Sequence, residues 1–120
     1  MKVLDTNIVI EYLKGVPEVV RMVEDLRATN QMLAISVITE IEVLAHPARS
    51  ENDVRQFNEW LDSVKIVPVD STLGRLAAEL RRTHKLKIAD SIVAATAHMY
   101  GAQLVTRDRG LKELPFVQII

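Results

Sequence analysis

Short apolar segments alternate along the chain with longer segments in which apolar residues recur every three or four positions. The short segments predict β-strands, and the longer periodic segments predict amphipathic helices. We place strands at residues 2–4, 33–35, 66–69 and 103–106, with a weaker fifth candidate at residues 117–119. The expected helices cover residues 8–14, 18–28, 36–45, 52–64, 71–83 and 90–100, and a helical turn is expected at residues 110–114.

Strands that alternate with helices are typical of βαβ units, whose right-handed crossovers build a parallel sheet. We therefore predict an α/β fold, a three-layer α/β/α sandwich whose mostly parallel sheet has about five strands. Pro68 indicates that the third strand lies at an edge of the sheet, because proline has no N–H for a neighbouring strand to bind. A length of 120 residues suits one domain, 1–120.

The predicted layout brings acidic residues from distant parts of the sequence to one edge of the sheet. Asp5 directly follows the first strand, Asp108 lies just beyond the fourth, and Asp90 opens a helix. Glu42 lies about two turns into the helix that follows the second strand. Ligands of such sheets bind at the edge where the parallel strands end and the following helices begin. Four carboxylates can therefore gather in one cleft at this edge.

Clustered carboxylates repel one another strongly unless positive charge offsets the repulsion. Helix N-termini at residues 6–7 and at Asp90 supply part of that charge, and hard divalent cations supply more. Mg²⁺ and Mn²⁺ prefer sites built of oxygen ligands. Two such ions can activate a water molecule and stabilise the leaving oxygen when a phosphodiester is cleaved.

Each acidic residue also has an explanation that involves no chemistry. Asp5 and Asp90 are of a residue type that caps helices well. Glu42 could complete a capping box with Thr39, and Asp108 could belong to an ordinary polar turn. None of the four is decisive alone, and the interpretation depends on their order and on the elements that they follow.

Composition narrows the classes of function. The absence of cysteine excludes disulfides, cysteine-based zinc sites and thiol nucleophiles, and it fits a reducing compartment. Residues 1–5 reach an aspartate without an apolar run, and no apolar run approaches the roughly 20 residues of a membrane span. We therefore expect a soluble cytoplasmic protein without a signal peptide. The net charge of −1 neither suggests nor excludes a nucleic acid partner, so local basic residues and bound cations would have to attract RNA.

Basic residues close in sequence to the candidate acids are candidates for binding phosphate. They are Arg81, Arg82 and Lys87, before the third acid, and Arg107 and Arg109, on either side of the fourth. A solvated helix end is the alternative explanation for the first group. The three histidines fall on different predicted elements with no pair four residues apart, so a zinc site of the zincin kind is unsupported.

Four stretches, in order, resemble the motifs of PIN domains and together cover essentially the whole chain: residues 5–7, 36–44, 89–97 and 104–108. The resemblance implies a five-stranded parallel sheet and an endoribonuclease that uses one or two Mg²⁺ or Mn²⁺ ions. It implies that the metal ligands and catalytic residues are Asp5, Glu42, Asp90 and Asp108, with Asn7 and Thr106 as supporting polar residues. One departure is that residues 45–47 read Ala-His-Pro where many members have a glycine.

The chain looks most like the small toxins of the VapBC type, which a cognate antitoxin inhibits. This resemblance implies an RNA substrate, a protein antitoxin and a homodimer. An RNA-processing nuclease outside a toxin role stays open, as does a PIN fold that only binds. A receiver-like signalling module is the alternative from another class. It is disfavoured because one acid, Asp5, follows the first strand and no lysine follows the last.

The second motif contains two glutamates that helical spacing cannot distinguish. The helix is expected to bury its apolar stripe, which consists of Val37, Ile38, Ile41, Leu44 and Ala45. Glu40 and Glu42 flank that stripe on opposite sides. The resemblance selects Glu42 as the ligand and leaves Glu40 largely facing solvent. Ser36, directly after the strand, is expected to cap this helix in preference to Thr39.

Overall fold

The structure is a computed structural model that describes residues 1–120. Its strands are β1 (Lys2–Leu4), β2 (Leu33–Ser36), β3 (Lys65–Val67), β4 (Gln103–Thr106) and β5 (Val117–Ile119). Its helices are α1 (Thr6–Leu13), α2 (Pro17–Ala28), α3 (Val37–Leu44), α4 (Glu51–Leu61), α5 (Ser71–His84) and α6 (Ile88–Met99), and a 3₁₀ turn covers Arg109–Leu111. None of the helices combines the length and the apolar character that crossing a bilayer would require.

All five strands pair in parallel, in the order β3-β2-β1-β4-β5. The predicted α/β fold is therefore confirmed, and β1 lies at the centre of the sheet. β3 is an edge strand as predicted, although it ends at Val67 and Pro68 follows it. A receiver domain has the strand order 2-1-3-4-5, so this topology excludes the receiver-like alternative.

Side chains of the strands alternate between the two faces of the sheet and divide the core in two. On one face, Val3 and Leu104 pack with residues of α5 and α6. On the other face, Leu4 and Val105 pack with residues of α1, α2 and α4. Trp60 of α4 is only 8% exposed and belongs to this second core. The sheet thus lies between two helical layers, in the predicted three-layer arrangement.

The start of α6 differs from the prediction, whereas that of α5 agrees with it. α6 begins at Ile88, two residues before Asp90, and no side chain caps its start. Asp90 lies in the first turn and is not the cap that its position in the sequence suggested. α5 begins at Ser71 as predicted, and the carboxylate of Asp70 caps it. The carboxylate of Asp90 is therefore not engaged in capping its own helix.

α3 buries a different face from the expected one. Ser36 caps the helix as predicted, but Ile41 and Leu44 are 54% and 39% exposed. Thr39 and Val43 are buried instead. The helix has only 8 residues and packs against α1 and α6 as well as β2, so its tertiary contacts outweigh its own hydrophobic pattern. The predicted apolar stripe is wrong for this helix.

Candidate active site

Asp5 lies at the carboxyl end of the central strand, with 5% of its surface exposed. It caps α1, and the backbone N–H of Thr6 donates to its Oδ1 at 2.9 Å. Its Oδ2 accepts a hydrogen bond from the hydroxyl of Thr106 at 2.6 Å. Leu4 and Val105 are partners in the pairing of β1 with β4, so the residues that follow them are neighbours. Both carboxylate oxygens are thus held in place.

Asp108 lies two residues beyond the end of β4 and is exposed. Its backbone N–H donates to the hydroxyl oxygen of Thr106 at 2.9 Å. Its carboxylate accepts from the N–H of Gly110 at 2.8 Å and caps the 3₁₀ turn. The hydroxyl of Thr106 therefore connects the side chain of Asp5 with the backbone of Asp108.

Glu42 reaches this edge from α3. Its Oε1 accepts a hydrogen bond from the hydroxyl of Thr6 at 2.7 Å, and the same hydroxyl lies 3.1 Å from that of Thr39. The capping-box explanation of Glu42 is wrong, because Ser36 caps the helix and the glutamate is bound by a residue of α1. Glu42 is held in place although it is exposed.

The electrostatics show that Asp5 shares its surroundings with two other acids. Burial raises the pKa of Asp5 above its ordinary value, and the hydrogen bonds from Thr106 and Thr6 partly offset that increase. The charges of Asp90 and Asp108 raise the pKa of Asp5 further. Both negative charges therefore disfavour the ionised form of Asp5.

Asp90 interacts electrostatically with Glu42, the fourth candidate acid, as well as with Asp108. Burial raises the pKa of Asp90, and the negative charges of Asp108 and Glu42 add to the increase. The positive charge of Lys87 acts in the opposite direction. The charges of Asp90 and Asp108 thus act on Asp5, and those of Asp108 and Glu42 act on Asp90.

The donor set fits a hard divalent cation, because the ligands available at this edge are carboxylate and hydroxyl oxygens and their mutual repulsion calls for positive charge. As the side chains stand, no three acidic or histidine residues are grouped closely enough to hold one ion. Hydrogen bonds to neighbouring groups hold Asp5, Glu42 and Asp108 in their present positions. Asp108 is exposed, so it can turn about its side-chain bonds without repacking the core.

The basic candidates occupy four different surroundings. The positive charge of Lys87 lowers the pKa of Asp90. Arg107 forms an ion pair with Glu11 of α1 at 3.0 Å. Arg109 is exposed on the 3₁₀ turn beside Asp108. The remaining two, Arg81 and Arg82, line a separate groove of about 760 Å³ along α5 and α6.

Two threonines at this edge were not anticipated from the sequence, and one supporting residue lines a groove that none of the four acids lines. Thr6 and Thr39 form the hydroxyl pair that binds Glu42. The only sequence signal was their spacing, directly after Asp5 and three residues before Glu42. Asn7 is exposed and lines a groove with residues of α1, α3 and α4.

Comparisons with known proteins agree with this geometry. Residues 2–117 match the sequence profile of the PIN domain. Ribonuclease VapC19 of Mycobacterium tuberculosis is 28% identical over 109 residues, which cover 88% of this chain and 87% of that protein.

Two solved structures are similar over nearly the full length. A chain of a toxin–antitoxin complex from Klebsiella pneumoniae has a TM-score of 0.85 and 28% identity, covering 98% of this chain and 96% of that one. A chain of DNA-bound VapBC from Salmonella typhimurium has a TM-score of 0.77 and 26% identity, covering 99% and 96%. The profile match, the fold and the order of the four motifs agree, and the chain belongs to the PIN domain family.

Proposed function

We propose that this chain is a metal-dependent endoribonuclease that hydrolyses phosphodiester bonds of RNA and acts as the toxin of a toxin–antitoxin pair. The observation that carries the proposal is the hydrogen-bonded arrangement of carboxylates at one edge of the sheet. Thr106 connects Asp5 with Asp108, and Thr6 connects Asp5 with Glu42. The charges of Asp108 and Glu42 also act on Asp90, the fourth acid. The similarity to a ribonuclease and to chains of toxin–antitoxin complexes supports both parts of it.

The four carboxylates would hold one or two Mg²⁺ or Mn²⁺ ions. Bound there, such an ion supplies Lewis-acid stabilisation of charge on the phosphate and lowers the pKa of a water molecule. Both carboxylate oxygens of Asp5 accept hydrogen bonds, so Asp5 would be a rigidly held metal ligand. The exposed carboxylate of Asp108 can adjust to an ion and to the substrate. Thr106 orients Asp5 and Asp108 relative to one another.

Positive side chains around the cleft would position the phosphates of RNA. Lys87 is the strongest candidate, because its charge already acts on Asp90. Arg109 is exposed beside the cleft, and Arg107 would have to share its guanidinium with Glu11. Arg81 and Arg82 line the groove of α5 and α6, so we assign them to phosphates farther along the RNA.

Two protein partners complete the proposal, a cognate antitoxin that inhibits the chain and a second copy of the chain. We place the chain and its RNA substrate in the cytoplasm. Ile41 and Ile88 are 54% and 65% exposed and lie within two residues of Glu42 and Asp90. An interface at these apolar side chains would bring two clefts together, which suits a folded RNA. Light scattering should give the mass of a dimer at high micromolar concentration. A monomer at that concentration would contradict this part of the proposal.

Incubation of the purified chain with total cellular RNA tests the activity directly. We expect internal cleavage with Mg²⁺ or Mn²⁺ and none with a chelator, since the carboxylates alone supply no electrophile. Mapping of the cut ends would identify the preferred site. Cleavage that persists in full with the chelator, or no cleavage with either ion, would refute the proposed function.

A further inference from the structure

The side chain of Glu42 is ordered by a neighbouring helix although the residue is exposed. Its Oε1 accepts the hydroxyl of Thr6 at 2.7 Å. Holding a long flexible side chain in one conformation costs rotamer entropy, and glutamate is among the residues for which that cost is highest. An exposed glutamate that serves only solubility would gain little from such a contact. The contact therefore indicates that the position of this carboxylate matters.

The hydrogen bonds around Thr6 have only one consistent direction. A threonine hydroxyl has a single hydrogen, whereas a carboxylate has none to donate. Thr6 gives its hydrogen to Glu42, so in the 3.1 Å contact between the two threonine hydroxyls Thr39 must be the donor. Thr39 is completely buried. A buried hydroxyl requires a partner, and Thr6 is the one available, so the bonds run from Thr39 through Thr6 to Glu42.

Thr6 also binds a second acid. Its backbone N–H donates to Oδ1 of Asp5 at 2.9 Å, while its hydroxyl donates to Glu42. One residue at the start of α1 thus contacts a carboxylate that follows β1 and another on α3. Thr39 fixes the rotation of the Thr6 hydroxyl and completes this connection.

We infer that Thr39 and Thr6 are positioning residues that fix the carboxylate of Glu42 beside Asp5 for metal binding, an inference that rests on the proposed function. The pair does for Glu42 what Thr106 does for Asp5, since each carboxylate accepts from a buried threonine hydroxyl. Loss of the hydroxyl of Thr39 frees that of Thr6 to rotate, and Glu42 then loses its fixed donor.

Mn²⁺ titrations without RNA, monitored by the electron paramagnetic resonance of the free ion, test the inference independently of catalysis. Partners of metal ligands typically contribute ten- to a hundredfold in metal affinity, so Thr6→Val and Thr39→Val should each weaken Mn²⁺ binding by about tenfold. Thr39→Ser keeps the donor and should restore binding to within about twofold of the unmodified protein.

Two controls separate positioning from a general loss of stability. Thr96→Val removes another fully buried threonine hydroxyl, one that bonds only to the Ile92 carbonyl of its own helix. It should leave Mn²⁺ affinity unchanged. In a Glu42→Ala background, Thr39→Val should cause no further loss of affinity, because the carboxylate that it positions is absent.

The outcomes separate the positioning role of the two threonines from the proposed nuclease function. Unchanged Mn²⁺ affinity in Thr39→Val, or an equal loss in the Glu42→Ala background, would overturn the positioning role while the proposed nuclease function stands. If the unmodified chain binds Mn²⁺ with the expected pattern among the variants but cleaves no RNA, the proposed function fails and the positioning role holds. If the unmodified chain does not bind Mn²⁺, the positioning role is overturned together with the metal dependence.

Discussion

Thr106 and Asp5 stand 101 positions apart in the sequence, yet a 2.6 Å hydrogen bond runs from the hydroxyl of one to the carboxylate of the other. The parallel pairing of β1 with β4 brings them together. The same hydroxyl oxygen accepts the N–H of Asp108, so one atom is hydrogen-bonded to both Asp5 and Asp108. The geometry of the cleft therefore depends on the ends of two adjacent strands.

Thr106→Val should lower the rate of RNA cleavage by about ten- to a hundredfold, because a partner of two proposed metal ligands is lost. The hydrogen bond from Thr106 lowers the pKa of Asp5, so its removal should raise that pKa further. The acid limb of the pH–rate profile should then shift to higher pH. Measurement of kcat/KM across pH checks both effects. Thr106→Ser should behave like the unmodified protein, and a Thr106→Val protein with an unchanged rate and profile would contradict this prediction.

Asp90→Asn should remove activity and at the same time stabilise the fold in metal-free buffer. The pKa of Asp90 is raised above 3.8 by burial and by Asp108 and Glu42, so the ionised form is less favourable in the folded than in the unfolded chain. Ionised Asp90 therefore reduces stability at neutral pH, and asparagine relieves that cost. Urea denaturation at pH 7 with a chelator should give a higher midpoint for the variant.

The gain in stability from Asp90→Asn should depend on pH, because aspartate is unfavourable at this position only when it is ionised. As the pH falls through the raised pKa of Asp90 and below 3.8, the aspartate becomes neutral in both states, and the advantage of Asp90→Asn should disappear. RNA cleavage should fall by about a hundredfold or more at neutral pH, since metal ions contribute several kcal/mol and about 1.4 kcal/mol corresponds to tenfold. A variant that is less stable at pH 7, or that stays active, would disagree with this account.

Much of the fold follows from the sequence, because strands buried on a parallel sheet leave short apolar runs that local pattern identifies well. β1 and β4 were predicted with the bounds that they have, and β2 and β3 within two residues. β3 lies at an edge as predicted, but Pro68 follows the strand, so its missing N–H is not the reason. The approach of Asp5 and Asp108 to one edge followed from the same reasoning.

Features that depend on contacts between helices could not be predicted in this way. α3 buries Thr39 and exposes Ile41, since α1 and α6 determine which side of this short helix is covered. Asp90 was expected to cap α6, but the helix begins at Ile88, and helix ends are poorly determined by sequence. The hydroxyl pair that binds Glu42 joins two helices and leaves no periodic signal.

The capping box of α4 gives a prediction about stability that is independent of the cleft. The hydroxyl of Ser50 accepts the N–H of Asp53, and the carboxylate of Asp53 accepts the N–H of Ser50, each at 3.0 Å. Ser50→Ala should cost about 1 kcal/mol of unfolding free energy. RNA cleavage at a temperature where the variant is folded should be unchanged. An equal midpoint for both proteins in urea would show that the box contributes nothing.

The same box should weaken in acid. The hydrogen bonds with Ser50 lower the pKa of Asp53, and Arg49 contributes. A lowered pKa means that the stabilisation is present above the unfolded value of 3.8 and is lost as the pH falls through the folded pKa. Asp53→Asn should therefore be less stable than the unmodified protein at pH 7, with a difference that narrows in acid. A difference that stays constant from pH 7 into that acid range would contradict the assignment.

Glu40 and Glu42 provide a matched pair within one helix. They lie two residues apart, so their side chains point in directions roughly 200° apart, and only one can face the cleft. Glu42 is bound by Thr6 and its charge acts on Asp90. Glu42→Gln should therefore remove most RNA cleavage and weaken Mn²⁺ binding, whereas Glu40→Gln should change either by less than about twofold. The two variants have the same composition and net charge, so each controls for the other. The reverse pattern would place the second motif two residues out of register and move the metal ligand to Glu40.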